Sequence, residues 1–284
     1  MMHSIPEPLS KSIDKTTRVL EMCTERQLKV LFHSEPKKWI TGPAGSGKTW
    51  LLMEKVLVLA RDAVLRGNNE KILVSCFNRP LSMMFAKKFE VEFRGVVTVK
   101  TFHSLLYDIT KSISGKSNAE KEKHVDEALD MVKKGTGSFH ERYDHIFVDE
   151  CQDLFGKEWP TLFEKLQKDD GDGPKRKHIW FFYDANQNLR ILEKEYEPHR
   201  NLIMNGQLLP DVFRNTRMVF EQTKKCLTVK ILDQETIKLG HDVRGLNIKW
   251  DCSLSQSFQG GWWERCAKCI NECICHVLLK NYTP

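Results

Sequence analysis

Apolar and polar positions change period several times along the chain, and each change marks an element. From about Ser10 to His33, Val19, Leu20, Cys23, Gln27, Val30 and Leu31 fall at three- and four-residue spacings, which predicts a helix. The pattern then shortens. Lys38 to Thr41 is a short strand running into a glycine-rich turn, and Trp50 to Leu65 is a long apolar-rich helix stopped at Gly67-Asn68-Asn69. The alternation repeats, with Lys71 to Cys76 as strand, Leu81 to Phe93 as helix, Val96 to Val99 as strand and Phe102 to Ile109 as helix. His145 to Val148 and His178 to Tyr183 are apolar runs short enough for buried central strands. A helix near Trp159 to Leu166 and a polar loop, Lys168 to Lys177, lie between them. Such alternation implies an α/β fold, a parallel sheet flanked by helices. Between Lys111 and Gly137 the composition turns to Lys, Ser, Glu and Gly around one amphipathic stretch, Ala119 to Lys133, which predicts a small helical insertion.

Composition adds bounds. The 284 residues are 40% hydrophobic and 29% charged, an ordinary globular mixture. Lys+Arg 44 against Asp+Glu 38 gives +6, which tolerates a polyanionic partner without demanding one. The first fifteen residues carry Pro6, Glu7, Pro8 and Asp14 where a secretory signal needs an apolar stretch, and no apolar run is long enough to span a bilayer. The expectation is a soluble, intracellular protein with no membrane partner, nucleus or cytoplasm left open. The nine cysteines are odd in number and scattered, which fits reduced thiols.

The glycine-rich turn is Gly42-Pro43-Ala44-Gly45-Ser46-Gly47-Lys48-Thr49, a P-loop pattern in the context it requires, strand before and helix after. Glycines permit positive φ and close approach, so successive N–H groups and the helix N-terminus point at phosphate oxygens. Lys48 supplies charge over the outer phosphates, and the Thr49 hydroxyl is a ligand for Mg²⁺. The strand from His145 ends in Asp149 and Glu150, where a parallel sheet delivers groups to its ligand edge. Asp149 suits the Mg²⁺ shell, and Glu150 suits polarising the attacking water.

In order along roughly Thr24 to Lys225, these motifs resemble those of the UvrD/Rep-like superfamily 1 DNA helicases. Asp149-Glu150-Cys151-Gln152-Asp153 is similar to that family's D-E-x-Q-D, and Thr24-Glu25-Arg26-Gln27 to its adenine-reading glutamine, here Gln27. Ser75-Cys76-Phe77-Asn78-Arg79 and Lys100-Thr101-Phe102-His103-Ser104 resemble segments placed against single-stranded DNA, so Phe77, Asn78, Arg79, Thr101, Phe102 and His103 are candidate contacts. Either Phe77 or Phe102 is equally readable as a core aromatic. Trp180 to Gln187 resembles the motif ending in G-D-x-x-Q, with Tyr183 where that pattern has Gly and Gln187 as γ-phosphate sensor. Leu209 to Thr216 resembles a later motif whose arginine, here Arg214, reaches the γ-phosphate.

The resemblance implies a RecA-like ATP-binding domain of a P-loop NTPase over 24–230 with the insertion at 111–137. A leader and helix at 1–23 precede it, and a tail at 231–284 is readable as the start of a second domain. Leu239 to Gly245 is readable as the linker into it. It implies ATP and Mg²⁺, ATP hydrolysis, single-stranded DNA or RNA as partner, and a partner supplying a second RecA-like domain. The alternative is a nucleotide-switched single-strand binder without motor activity. A small-molecule kinase finds no use for Gln27, Thr101 to Ser104 or Gln187. In the tail, Cys252, Cys266, Cys269, Cys273, Cys275 and His276 invite a zinc reading. Helical spacing of Trp262, Cys266, Cys269, Ile270, Cys273 and Val277 favours an apolar helix face instead.

Overall fold

A computed structural model describes residues 23–89, 91–113, 117–136, 139–154, 157–168, 177–184, 206–225 and 237–245. The chain opens on α1 (Glu25–Phe32), then β1 (Lys37–Thr41), α2 (Lys48–Arg66), β2 (Ile72–Cys76), α3 (Arg79–Phe89), β3 (Val97–Thr101), α4 (Phe102–Thr110) and α5 (Asn118–Lys134). It continues through β4 (His145–Asp149), a 3-10 turn (Cys151–Asp153), α6 (Trp159–Leu166), β5 (His178–Tyr183), β6 (Gln207–Leu208), β7 (Asp211–Val212), α7 (Arg217–Lys225) and β8 (Lys238–Leu239).

The six-stranded sheet has the order β3-β2-β4-β5-β1-β6, every pair parallel. Period-two alternation sends successive strand residues to opposite faces. Leu73, Ile146, Val148, Ile179 and Phe181 meet α4, α5 and α6 on one face. Ile72, Val74, Phe147, Trp180 and Phe182 meet α1, α2 and α3 on the other. Strands β2, β4 and β5 are buried throughout, as helices on both faces require. This is the RecA-like parallel sheet of a P-loop fold, with β5 threaded between β1 and β4.

The stretch expected as a small helical insertion does form a helix, α5, and its Val125, Ala128, Leu129 and Val132 join the main cluster beside Phe163 and Leu166 of α6. Their spacing gives α5 one continuous apolar stripe, which has to be covered. Residues 237–245, which include the Leu239 to Gly245 stretch readable as a linker, lie against the 211–218 segment. Gly240 N–H donates to Val212 O at 2.9 Å, Arg217 N–H to Val243 O at 2.9 Å, and Arg217 pairs with Asp242 at 2.6 Å. Residues 1–22 and the cysteine-rich tail from 246 onward lie outside the described residues. Among the described residues no helix is long and apolar enough to cross a membrane, and no cluster of metal-ligating side chains is found.

Candidate functional site

Parallel strands deliver their C-terminal ends to one edge of the sheet, and loops there carry the reactive side chains. β1 runs into the glycine-rich loop, β4 into Asp149 and Glu150, β5 into Asp184, and β2 and β3 into Phe77 and Thr101. Because β5 lies between β1 and β4, Asp184 enters between the loop and the acidic pair.

The loop takes the shape its glycines allow. Gly45 and Gly47 have φ of 84° and 87°, and a Cβ on Gly47 would stand 2.7 Å from the Gln27 amide nitrogen. Lys48 is buried, and its ammonium donates to Gly42 O at 2.6 Å and Pro43 O at 3.2 Å, with Asp184 Oδ2 at 3.8 Å. The Ser46 hydroxyl is buried with no hydrogen-bond partner. A buried orphan hydroxyl beside a lysine hydrogen-bonded to main-chain oxygens, with its carboxylate neighbour at 3.8 Å, fits a phosphate ligand.

Thr49 Oγ1 donates to Asp149 Oδ2 at 2.7 Å, so the two groups that suit a divalent cation already meet. Burial and then the Glu150 charge push the Asp149 carboxyl up to about 6, opposed by the Thr49 hydrogen bond and by Lys48. A bound cation there would favour the ionised form. Glu150 has φ of 51°, a left-handed conformation rare for a side-chain-bearing residue, and its N–H donates to Asp149 Oδ1 at 3.0 Å. Gln152 Nε2 donates to Glu150 Oε2 at 2.5 Å, and Gln152 Oε1 accepts from Asp184 N–H at 3.0 Å. One amide therefore ties the end of β4 to the end of β5. Gln152 and Asp184 stand inside motifs recognised from the sequence, yet their bridge is not readable there; its signal is an amide two positions after an acidic pair. Burial, then the Asp149 and Glu150 charges, push the neighbouring Cys76 thiol up to about 12, which keeps it inert.

Gln27 is buried, and both ends of its amide are engaged. Oε1 accepts from Thr24 N–H at 3.0 Å in a capping box that starts α1, and Nε2 donates to Ser46 O at 3.2 Å. Arg214 backs the loop: a Cβ on Gly45 would lie 3.0 Å from the Arg214 Cβ, and Phe213 N–H donates to Gly45 O at 2.9 Å. Gln187 lies outside the described residues.

At the ends of β2 and β3 the expected contacts divide. Phe77 is half-buried and packs against the exposed His103 ring, centroids 5.2 Å apart. Arg79 is exposed at the start of α3, where the Asn78 side chain accepts from Leu81 N–H at 2.8 Å. Phe102 takes the core position that was one of its two readings. It is 0% exposed beside Phe163, because Thr101 caps α4 and sets a phase that turns Phe102, Leu105, Leu106 and Ile109 inward. Thr101 spends its hydroxyl on that cap, accepting from Ser104 N–H at 3.1 Å.

Residues 28–192 match the sequence profile of a family described as "AAA domain". No curated protein matches the chain. Solved structures similar to it include the helicase domain of Hef from Pyrococcus furiosus, at 16% identity and TM-score 0.37, over 73% of this chain and 45% of that one. Another is Pif1 from Bacteroides bound to single-stranded DNA, at 16% identity and TM-score 0.36, over 75% of this chain and 47% of that one. The chain spans about half the length of these solved chains.

Proposed function

The chain belongs to the AAA domain family, and from that premise we propose that it is the ATP-binding and ATP-hydrolysing domain of a nucleic-acid-dependent ATPase of the superfamily 1 helicase type. The observation that carries this reading is the convergence of Thr49 and Asp149 at 2.7 Å, with Glu150 beside them and Lys48 on the phosphate loop. The loop amides and Lys48 hold the phosphates, and Thr49 and Asp149 hold Mg²⁺. Held by Thr49 and Asp149, Mg²⁺ would supply charge neutralisation at the phosphate oxygens. Glu150 accepts a proton from the attacking water once Gln152 yields its carboxylate, Arg214 and Gln187 address the γ-phosphate, and Gln27 reads adenine. Phe77, Arg79 and His103 meet the single strand, the rings stacking on bases and the guanidinium on phosphate.

A second reading, a nucleotide-switched single-strand binder that turns over almost no ATP, is favoured by the engagement of the Glu150 carboxylate with Gln152 in this structure. Calorimetry and a steady-state phosphate-release assay separate the two. Lys48→Ala is expected to abolish Mg-ATP binding. Glu150→Gln is expected to bind ATP and lose turnover, while single-stranded DNA stimulates the wild type. Full ATP affinity in Lys48→Ala would remove the nucleotide site, and a silent wild type that still binds ATP would leave the switch.

A further inference from the structure

At the opposite edge of the sheet, where the strands begin, lie two adjoining pockets of about 520 and 430 Å³ that share Arg142 and Lys168. Their walls carry six cations, Lys71, Lys133, Lys134, Arg142, Lys165 and Lys168, brought together from the approach to β2, the end of α5, the approach to β4 and the end of α6. Lys133, Lys134 and Lys165 stand in last turns, where a helix C-terminus attracts cations in any protein. That accounts for none of Lys71, Arg142 and Lys168, which belong to no helix.

The charge is only partly balanced. Asp130 pairs with Lys134 and Asp144 with Lys168, each at 2.5 Å, and Glu141 accepts from the Tyr143 hydroxyl. The side chains of Lys71, Lys133, Arg142 and Lys165 have no carboxylate partner among the described residues, although the Lys71 backbone N–H donates to Asp144 Oδ2 at 2.8 Å. Arg142 is held by main-chain oxygens alone, Glu141 O at 3.0 Å and Val132 O at 3.3 Å, which aims its guanidinium while leaving donors free. The chemistry of the walls narrows the partner. No Phe, Tyr or Trp lines the pockets, and Val132, the apolar side chain in the lining, is buried. A protein partner would want apolar or aromatic anchors, and a single strand would want rings to stack on. A duplex backbone needs neither and presents phosphates at high density.

We propose that this concave basic face docks the phosphate backbone of a nucleic-acid duplex, on the far side of the sheet from the ATP site and from the Phe77–His103 pair. Interactions of this kind position a duplex without reading its sequence. The proposal is independent of the ATPase reading, since Lys48→Ala leaves every cation of the face in place.

The test is fluorescence anisotropy on the 284-residue chain, titrating a blunt DNA duplex and an unstructured single strand over a range of salt. Lys133→Glu with Lys165→Glu changes two exposed side chains, so folding is retained, with the melting temperature as check. The expected result is a duplex Kd raised at least about tenfold and a log-log salt slope lower by about 0.9 for each phosphate that is no longer neutralised. Single-strand affinity should stay within about twofold, on the proposed reading that places the single strand at the other edge. Lys133→Gln with Lys165→Gln should fall between the two. Unchanged duplex affinity and slope in the folded reversal variant would overturn the proposal. So would a wild type that binds no duplex, or polyglutamate competing as well as duplex at equal charge.

Discussion

Lys55 shows what one buried charge costs and how it is tolerated. It lies under the end of α1, donating to Leu31 O at 2.9 Å and His33 O at 3.0 Å, with its ammonium 4.7 Å from the Trp180 ring centroid. Burial, and then the Lys38 charge, bring its pKa from 10.5 to about 8. Between those values the unfolded chain binds more protons than the folded one, so this group's contribution to stability grows as pH rises and is lost as pH falls through about 8. The full window is worth on the order of 3 kcal/mol. A neutral amine still donates to both carbonyls. Urea unfolding of wild type and Lys55→Met should therefore show the wild type gaining on the variant from about pH 7.5 to about pH 10. A gap that does not move with pH would mean that Lys55 is solvated. This residue announced nothing in the sequence, where a lysine in an amphipathic helix reads as exposed. Gly42 to Thr49 was legible because one contiguous turn does the work, whereas the Gln152 bridge from Glu150 to Asp184 joins the ends of two strands and needs the sheet order to be seen.

At the scale of elements, α5 is the instructive case. Its charged surface and polar flanks read as a small insertion around an amphipathic stretch, and Val125, Ala128, Leu129 and Val132 form a stripe that α4 and α6 cover. Leu129 is 4% exposed, so Leu129→Ala should cost about 2 to 4 kcal/mol in a denaturant melt, against about half a kcal/mol or less for a surface site. A cost at the surface level would mean that the α5 stripe is not packed in the core. The stripe was readable as one amphipathic stretch, and the Phe102, Leu105, Leu106, Ile109 spacing carried the core reading of Phe102; which neighbours cover each face was not. The strands were easier, because apolar runs buried on both faces have no competing reading at that length. Their order was not legible: nothing local says that β5 lies between β1 and β4, which is what brings Asp184 to Lys48.

At the scale of the whole molecule, the described residues form one six-stranded sheet with a two-stranded pair, β7 and β8, at its margin. The β7 side of that pair packs on the phosphate loop through Phe213 and Arg214, so the segment reaching Gly245 is linked to the nucleotide site. Strand separation requires two bodies that grip the strand alternately, so that differential affinity across the ATP cycle becomes directed movement. On the proposed reading the described sheet would bind and hydrolyse ATP with no second body among the described residues to step against. On that reading Arg214 would offer one arginine to the γ-phosphate from within this layer, and the described residues show no opposing body to supply a further one, whose absence would cost about 10³ to 10⁵ in rate. The 284-residue chain is therefore expected to turn over ATP weakly, with stimulation by single strands, and to separate no fork. The measurement is a fluorescent fork-unwinding assay on monodisperse monomer with ATP in excess, run beside phosphate release on the same sample. Stimulated hydrolysis without separation fits a lone gripping layer, whereas robust ATP-dependent separation by the monomer would show that residues outside the described set supply the second grip.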